Sequence, residues 1–83
     1  MKFKAEIDIM PLEALLDPQG KAVTSSMQNI GLLEIKNVRI GKHISLEINA
    51  SNENEAKEKV SSACEKILVN KIMENYSFKI EKV

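Results

Sequence analysis

Residues 33–49, Leu33-Glu34-Ile35-Lys36-Asn37-Val38-Arg39-Ile40-Gly41-Lys42-His43-Ile44-Ser45-Leu46-Glu47-Ile48-Asn49, decide how this chain folds. The segment is rich in strand formers. Its apolar residues change parity: Leu33 and Ile35 are odd-numbered, whereas Val38, Ile40, Ile44, Leu46 and Ile48 are even. Successive side chains of a strand point to opposite faces, so the phase break at Lys36-Asn37 predicts a bulge or a bend. Gly41-Lys42 has the look of a two-residue hairpin turn. Such a turn would pair Ile40 with His43 and Val38 with Ser45. Ile44, Leu46 and Ile48 would then lie on the face opposite Val38 and Ile40, which disfavours it. Two arrangements keep these residues together. One is a three-residue loop, Gly41-Lys42-His43; the other is a continuous strand running through Gly41. The second is long for a small domain and implies that its far half pairs with another chain.

On the N-terminal side of this segment, Asp17-Pro18-Gln19-Gly20 reads as a helix start. Asp17 can accept from the first free backbone N–H groups, and Pro18 suits the first helical position. Val23, Met27 and Ile30 form one apolar stripe, and Gly31 suits the left-handed residue after a helix end, so a helix is expected over about 18–30. Gly20 weakens its first turn by up to about 1 kcal/mol relative to Ala. Either the helix frays there or another backbone comes close. Before it, Phe3, Ala5, Ile7 and Ile9 alternate with Lys2, Lys4, Glu6 and Asp8, a half-buried strand that Pro11 ends or confines to an edge. After residue 49, Asn52 and Glu55 resemble a capping box ahead of a helix over about 53–69. Its apolar face is Ala56, Val60, Ala63, Cys64 and Ile67, and Asn70 can end it. Tyr76, Phe78 and Ile80 alternate with polar residues in a last strand.

Counting residues 33–49 as two strands, the order is β-α-β-β-α-β. This is the ferredoxin-like α+β pattern: one domain over residues 1–83, an antiparallel sheet, and both helices on one face. Its edges and polar face leave room for pairing between subunits.

Composition excludes several classes of function. The 83 residues carry 12 Lys plus Arg and 12 Asp plus Glu, so the formal net charge is zero. Binding to nucleic acid or to an acidic membrane would need a basic excess. With no Trp, one Tyr and two Phe, platforms for stacking bases are scarce. Cys64 is the only cysteine, which fits a reducing compartment, and the N-terminal residues hold no apolar signal core. A cytoplasmic location is expected.

The search for a catalytic set returns little. His43, the only histidine, has no partner cluster in the sequence and reads as a solvated side chain in or beside a turn. Cys64 lies on a helix stripe, where a buried, inert thiol is expected. Glu53, Glu55, Glu58 and Glu65 alternate with lysines as a solvated face, not a metal site. Gly20 and Lys21 fall short of a phosphate-binding loop. No catalytic, cofactor-binding or metal-ligating residue is expected on this chain.

Four blocks carry a resemblance. They are Leu16-Asp17-Pro18-Gln19-Gly20-Lys21-Ala22-Val23, Val38-Arg39-Ile40-Gly41-Lys42, Ala63-Cys64-Glu65-Lys66-Ile67-Leu68-Val69-Asn70 and Met73-Glu74-Asn75-Tyr76. In this order they resemble the PurS family, the small subunit of phosphoribosylformylglycinamidine (FGAM) synthase. The likeness covers essentially the whole chain; Val69 and Asn75 depart mildly from the expected small residue and acid. The resemblance implies a subunit without an active site. It would bridge a glutaminase subunit, which releases ammonia, and a large synthetase subunit, which uses ATP and magnesium. It implies a homodimer or homotetramer with exchanged segments, in agreement with the parity argument. Asp17, Pro18, Gln19 and Gly20, with Arg39, Gly41 and Lys42, are the candidate partner contacts; the alternative is a cap and a turn that serve only the fold. A competing class is a ligand-sensing regulatory module of ferredoxin-like shape, usually fused to an enzyme. An RNA-binding domain is disfavoured by charge and aromatic content.

Overall fold

The computed structural model describes all of residues 1–83. In chain order the elements are β1 (Lys2–Pro11), α1 (Pro18–Asn29), β2 (Lys42–Asn49), α2 (Glu53–Ala63), a π turn (Cys64–Leu68) and β3 (Glu74–Lys82). The strands form one antiparallel sheet in the order β2-β1-β3. No helix is long and apolar enough to cross a membrane.

Strand register explains the core. Phe3, Ala5 and Ile7 stand opposite Ile48, Leu46 and Ile44 on one side, and Ala5, Ile7 and Ile9 opposite Ile80, Phe78 and Tyr76 on the other. All the alternating apolar residues therefore share one face. Helix α2 crosses it over β1 and β3, and Ala56, Val60 and Cys64 are buried against it. Asn52 caps α2 by accepting from the Glu55 N–H at 2.8 Å, while Glu55 reaches back to the Ser51 N–H at 3.3 Å.

The sequence places Ile67 on the α2 stripe, yet it is 81% exposed. Val69 N–H bonds to the Cys64 carbonyl at 3.1 Å, an i→i+5 closure that inserts one residue into the last turn. The stripe consequently passes to Leu68, which packs on the core, and to Val69, which is buried.

The antiparallel α+β class stands, with two corrections. Residues 35–40 form no strand and turn at Asn37, whose φ is +57°, so the chain has three strands rather than four. Gly41 lies neither in a hairpin nor inside a continuous strand: residues 35–41, the strap, are unpaired and lead directly into β2. Furthermore, only α2 lies on the sheet. Helix α1 follows the end of β1 and packs along the strap, forming an arm beyond the sheet's end. The physical reason is that a stripe specifies what a helix must bury, not where; here the strap holds α1 away. The molecule measures 51 × 27 × 14 Å with a radius of gyration of 16.5 Å. A compact domain of this length would have about 12 Å.

Candidate functional site

The arm is joined to the sheet at the residues that the sequence singles out. Asp17 is the N-cap of α1. Its Oδ1 accepts from the Gly20 N–H at 3.0 Å, and its Oδ2 accepts from the Ile40 N–H at 2.9 Å. These two backbone donors, then the Arg39 charge, hold the Asp17 carboxyl below its usual 3.8. One side chain thereby starts the helix and fastens the strap.

Arg39 works from the strap, on the other side of the joint. Its Nη2 donates to the carbonyls of Pro11 at 3.0 Å and Leu12 at 2.9 Å, and its Nη1 to that of Glu13 at 3.4 Å. A guanidinium offers several donors in a fixed fork, which suits it to gather carbonyls of an irregular loop. Its buried Nε makes no hydrogen bond and lies 3.5 Å from Asp17 Oδ2, a charge contact only. Thr24 Oγ1 donates to the Gly20 carbonyl at 2.8 Å and accepts from the Val38 N–H at 3.1 Å.

Two glycines permit the close approach. A Cβ on Gly20 would collide with the Val38 carbonyl oxygen and lie 2.7 Å from Asp17 Oδ2. One on Gly41 would collide with the Ile9 carbonyl oxygen and the Met10 sulfur. The backbone that comes close to Gly20 is thus the strap. Gly31, at φ +94°, ends α1 in the left-handed region, and the Leu32 N–H bonds to the Met27 carbonyl at 3.0 Å.

The candidates divide by direction. Asp17, Gly20 and Arg39 turn inward and build the joint. Pro18, Gln19, Gly41 and Lys42 are exposed and border an open cleft of about 410 Å³, together with Leu16 and Glu74. Lys42 Nζ is 3.6 Å from Glu74 Oε2. Leu16, 74% exposed, stands at its rim.

Thr24 and the loop carbonyls gathered by Arg39 were not legible, because both contacts depend on how the strap folds back. His43 is solvent-exposed, as the sequence reading has it, but it belongs to a strand rather than a turn and has partners. It lies in β2, opposite Asp8, with its ring between Asp8 and Glu6. The signal for it was register, not proximity in sequence. Cys64 is buried, and burial pushes its thiol pKa above 9.0, so it is a poor nucleophile. No group of three or more His, Cys, Asp or Glu side chains is placed to hold a metal ion.

Comparison with known proteins identifies the joint's family. The family model described as PurS, phosphoribosylformylglycinamidine (FGAM) synthase, matches residues 4–82. The PurS subunit of Bacillus subtilis is 35% identical over 98% of this chain and 95% of its own. That of Synechocystis is 40% identical over 81% of this chain and 67% of its own. A chain in the structure of PurLQS from Thermotoga maritima superposes with a TM-score of 0.90 at 34% identity, covering 98% of this chain and 99% of that one. Matched by the family model over residues 4–82 and by relatives over nearly its whole length and fold, this chain belongs to the PurS family of FGAM synthase subunits.

Proposed function

We propose that this chain is the non-catalytic assembly subunit of an FGAM synthase in purine biosynthesis. In this reading it acts as a homodimer or homotetramer that bridges a glutaminase subunit and a large synthetase subunit. ATP and magnesium belong to the large subunit, and the complex is cytoplasmic. The physical need for a bridge is clear. Free ammonia is lost or protonated in bulk water, so the site that releases it and the site that consumes it must be sealed together.

The observation that carries this reading is the uncovered arm. Val23 and Met27 on α1 are only half-buried, and Ile30 and Leu33 are 74% and 67% exposed. Across the molecule, the β2 half of the apolar sheet face, Ile44, Leu46 and Ile48, is also half-buried, because α2 sits over β1 and β3. These surfaces are complementary in chemistry but belong to opposite parts of one elongated chain. A second copy completes both: its α1 covers the β2 half, and its strap adds to the free edge of β2. The exposed rim of Leu16, Pro18, Gln19 and Lys42 is left to face the other subunits.

The test reconstitutes glutamine-dependent synthase activity from the glutaminase and synthetase subunits, with and without this chain. Activity that rises on its addition, with co-elution of the three, is the expected result. Unchanged activity without co-elution would overturn the proposal.

A further inference from the structure

The polar face of the sheet holds His43 between two acids of β1. Nδ1 lies 2.6 Å from Asp8 Oδ1, and Nε2 lies 2.5 Å from Glu6 Oε2. Ionised carboxylates only accept hydrogen bonds. A neutral imidazole has one N–H, so its other nitrogen would turn a lone pair towards a carboxylate. Only the imidazolium donates to both neighbours.

The position of this clamp matters. His43 is two residues past Gly41, where the strap becomes β2. β2 is an edge strand, held on one side only, and its pairing with β1 begins at Lys42 opposite Ile9. The ring therefore ties down the first residues of the strand at the root of the arm. We propose that His43, Glu6 and Asp8 form a proton-operated latch: the imidazolium fixes the root of the arm, and loss of its proton frees that root and weakens self-association.

The other groups around the ring do not replace its charge. On β1, Lys4 reaches Glu6 at 3.2 Å. On β2, Ser45 donates to Glu6 at 3.1 Å, while Lys42 is engaged with Glu74 and Glu47 with Lys2. On β3, Lys79 and Ser77 stand opposite Glu6 and Asp8. Neutral His43 would leave Asp8 with no ion-pair partner. Consistently, Asp8 first and Glu6 second hold the His43 pKa above its ordinary 6.5. A raised folded pKa means that the contribution is full below about 6.5 and is lost as pH rises through the raised value.

The link to assembly rests on the self-association proposed above; the latch itself does not. Three proteins decide both: the wild type, His43→Gln, and the double variant Glu6→Gln/Asp8→Asn. Each is measured at about pH 6 and about pH 9, on either side of the histidine range. Amide exchange of residues 42–46, corrected for intrinsic rate, reads the latch, and sedimentation equilibrium reads the dissociation constant. In the wild type, protection should fall and the dissociation constant rise by about threefold or more at the higher pH. Both variants should be flat. An equal pH dependence in His43→Gln overturns the latch. A latch that opens while the dissociation constant stays unchanged overturns its coupling to assembly. If the wild type is monomeric at both pH values, the self-association reading fails, and exchange alone still decides the latch.

Discussion

Asp17 and Ile40, 23 positions apart, are joined by a 2.9 Å hydrogen bond from backbone to carboxylate. The same carboxylate caps α1 through Gly20. Helix start and strap therefore cannot be separated by substitution at this residue. Asp17→Ala should lower the melting temperature by several degrees and raise amide exchange in both α1 and residues 38–41. Loss confined to the first turn of α1 would show that the strap is held by something else.

Acid should act through the same group. Because the folded pKa of Asp17 is depressed, its contribution is present above about 3.8 and is lost as pH falls through the depressed value. The wild type should lose stability in that range more steeply than Asp17→Asn. Denaturant midpoints measured down the acid limb check this, and parallel curves would refute it.

Gly20→Ala tests steric exclusion against helix propensity. Propensity alone favours Ala by about 1 kcal/mol. The new methyl group, however, meets the Val38 carbonyl oxygen, a backbone atom that cannot rotate away. Net destabilisation is expected, with the strap displaced and self-association weakened. Chemical denaturation and light scattering would report it; a more stable variant would mean that the strap yields at little cost.

Position 67 separates the π turn from a regular helix. Ile67 is 81% exposed and Val60 is 1% exposed. Ile67→Lys should change stability by less than about 0.5 kcal/mol, whereas Val60→Ala should cost about 2 kcal/mol. Urea unfolding distinguishes them. A large loss at Ile67 would indicate that the helix continues in α register, or that a partner covers this side chain.

Leu46→Lys puts a charge on the β2 half of the apolar face. It should convert the oligomer to monomer, with a dissociation constant raised at least tenfold, equivalent to about 1.4 kcal/mol. Multi-angle light scattering over a concentration series gives the answer. An unchanged oligomer would exclude this face from the interface.

Local chemistry was legible in the sequence, and long-range placement was not. Asp17-Pro18 fixed the start of α1, and Gly31 its end, because caps act within a few residues. Phe3 to Ile9 and Tyr76 to Ile80 revealed half-buried strands through their alternation. The parity of residues 38–48 disfavoured a two-residue hairpin at Gly41, and none forms. By contrast, the stripe of α1 gave no sign that the helix leaves the sheet, since it says which side is apolar but not what meets it. The one-residue insertion at Cys64–Leu68 hides within ordinary helical spacing. His43 gained its acid partners only through the pairing of β1 with β2. At the joint, the residues Asp17, Gly20 and Arg39 were readable, but their inward direction was not.

The arm that finds no cover in its own chain also ties the protein's persistence to its abundance. A solitary copy keeps Ile30 and Leu33 in water and leaves the strap without a ladder, the features by which proteases recognise loosely held segments. Stability gained only on meeting a second copy grows with concentration. In the proposed oligomer, scarce chains would thus be the first removed, so the shape of one small chain helps to set how many copies survive.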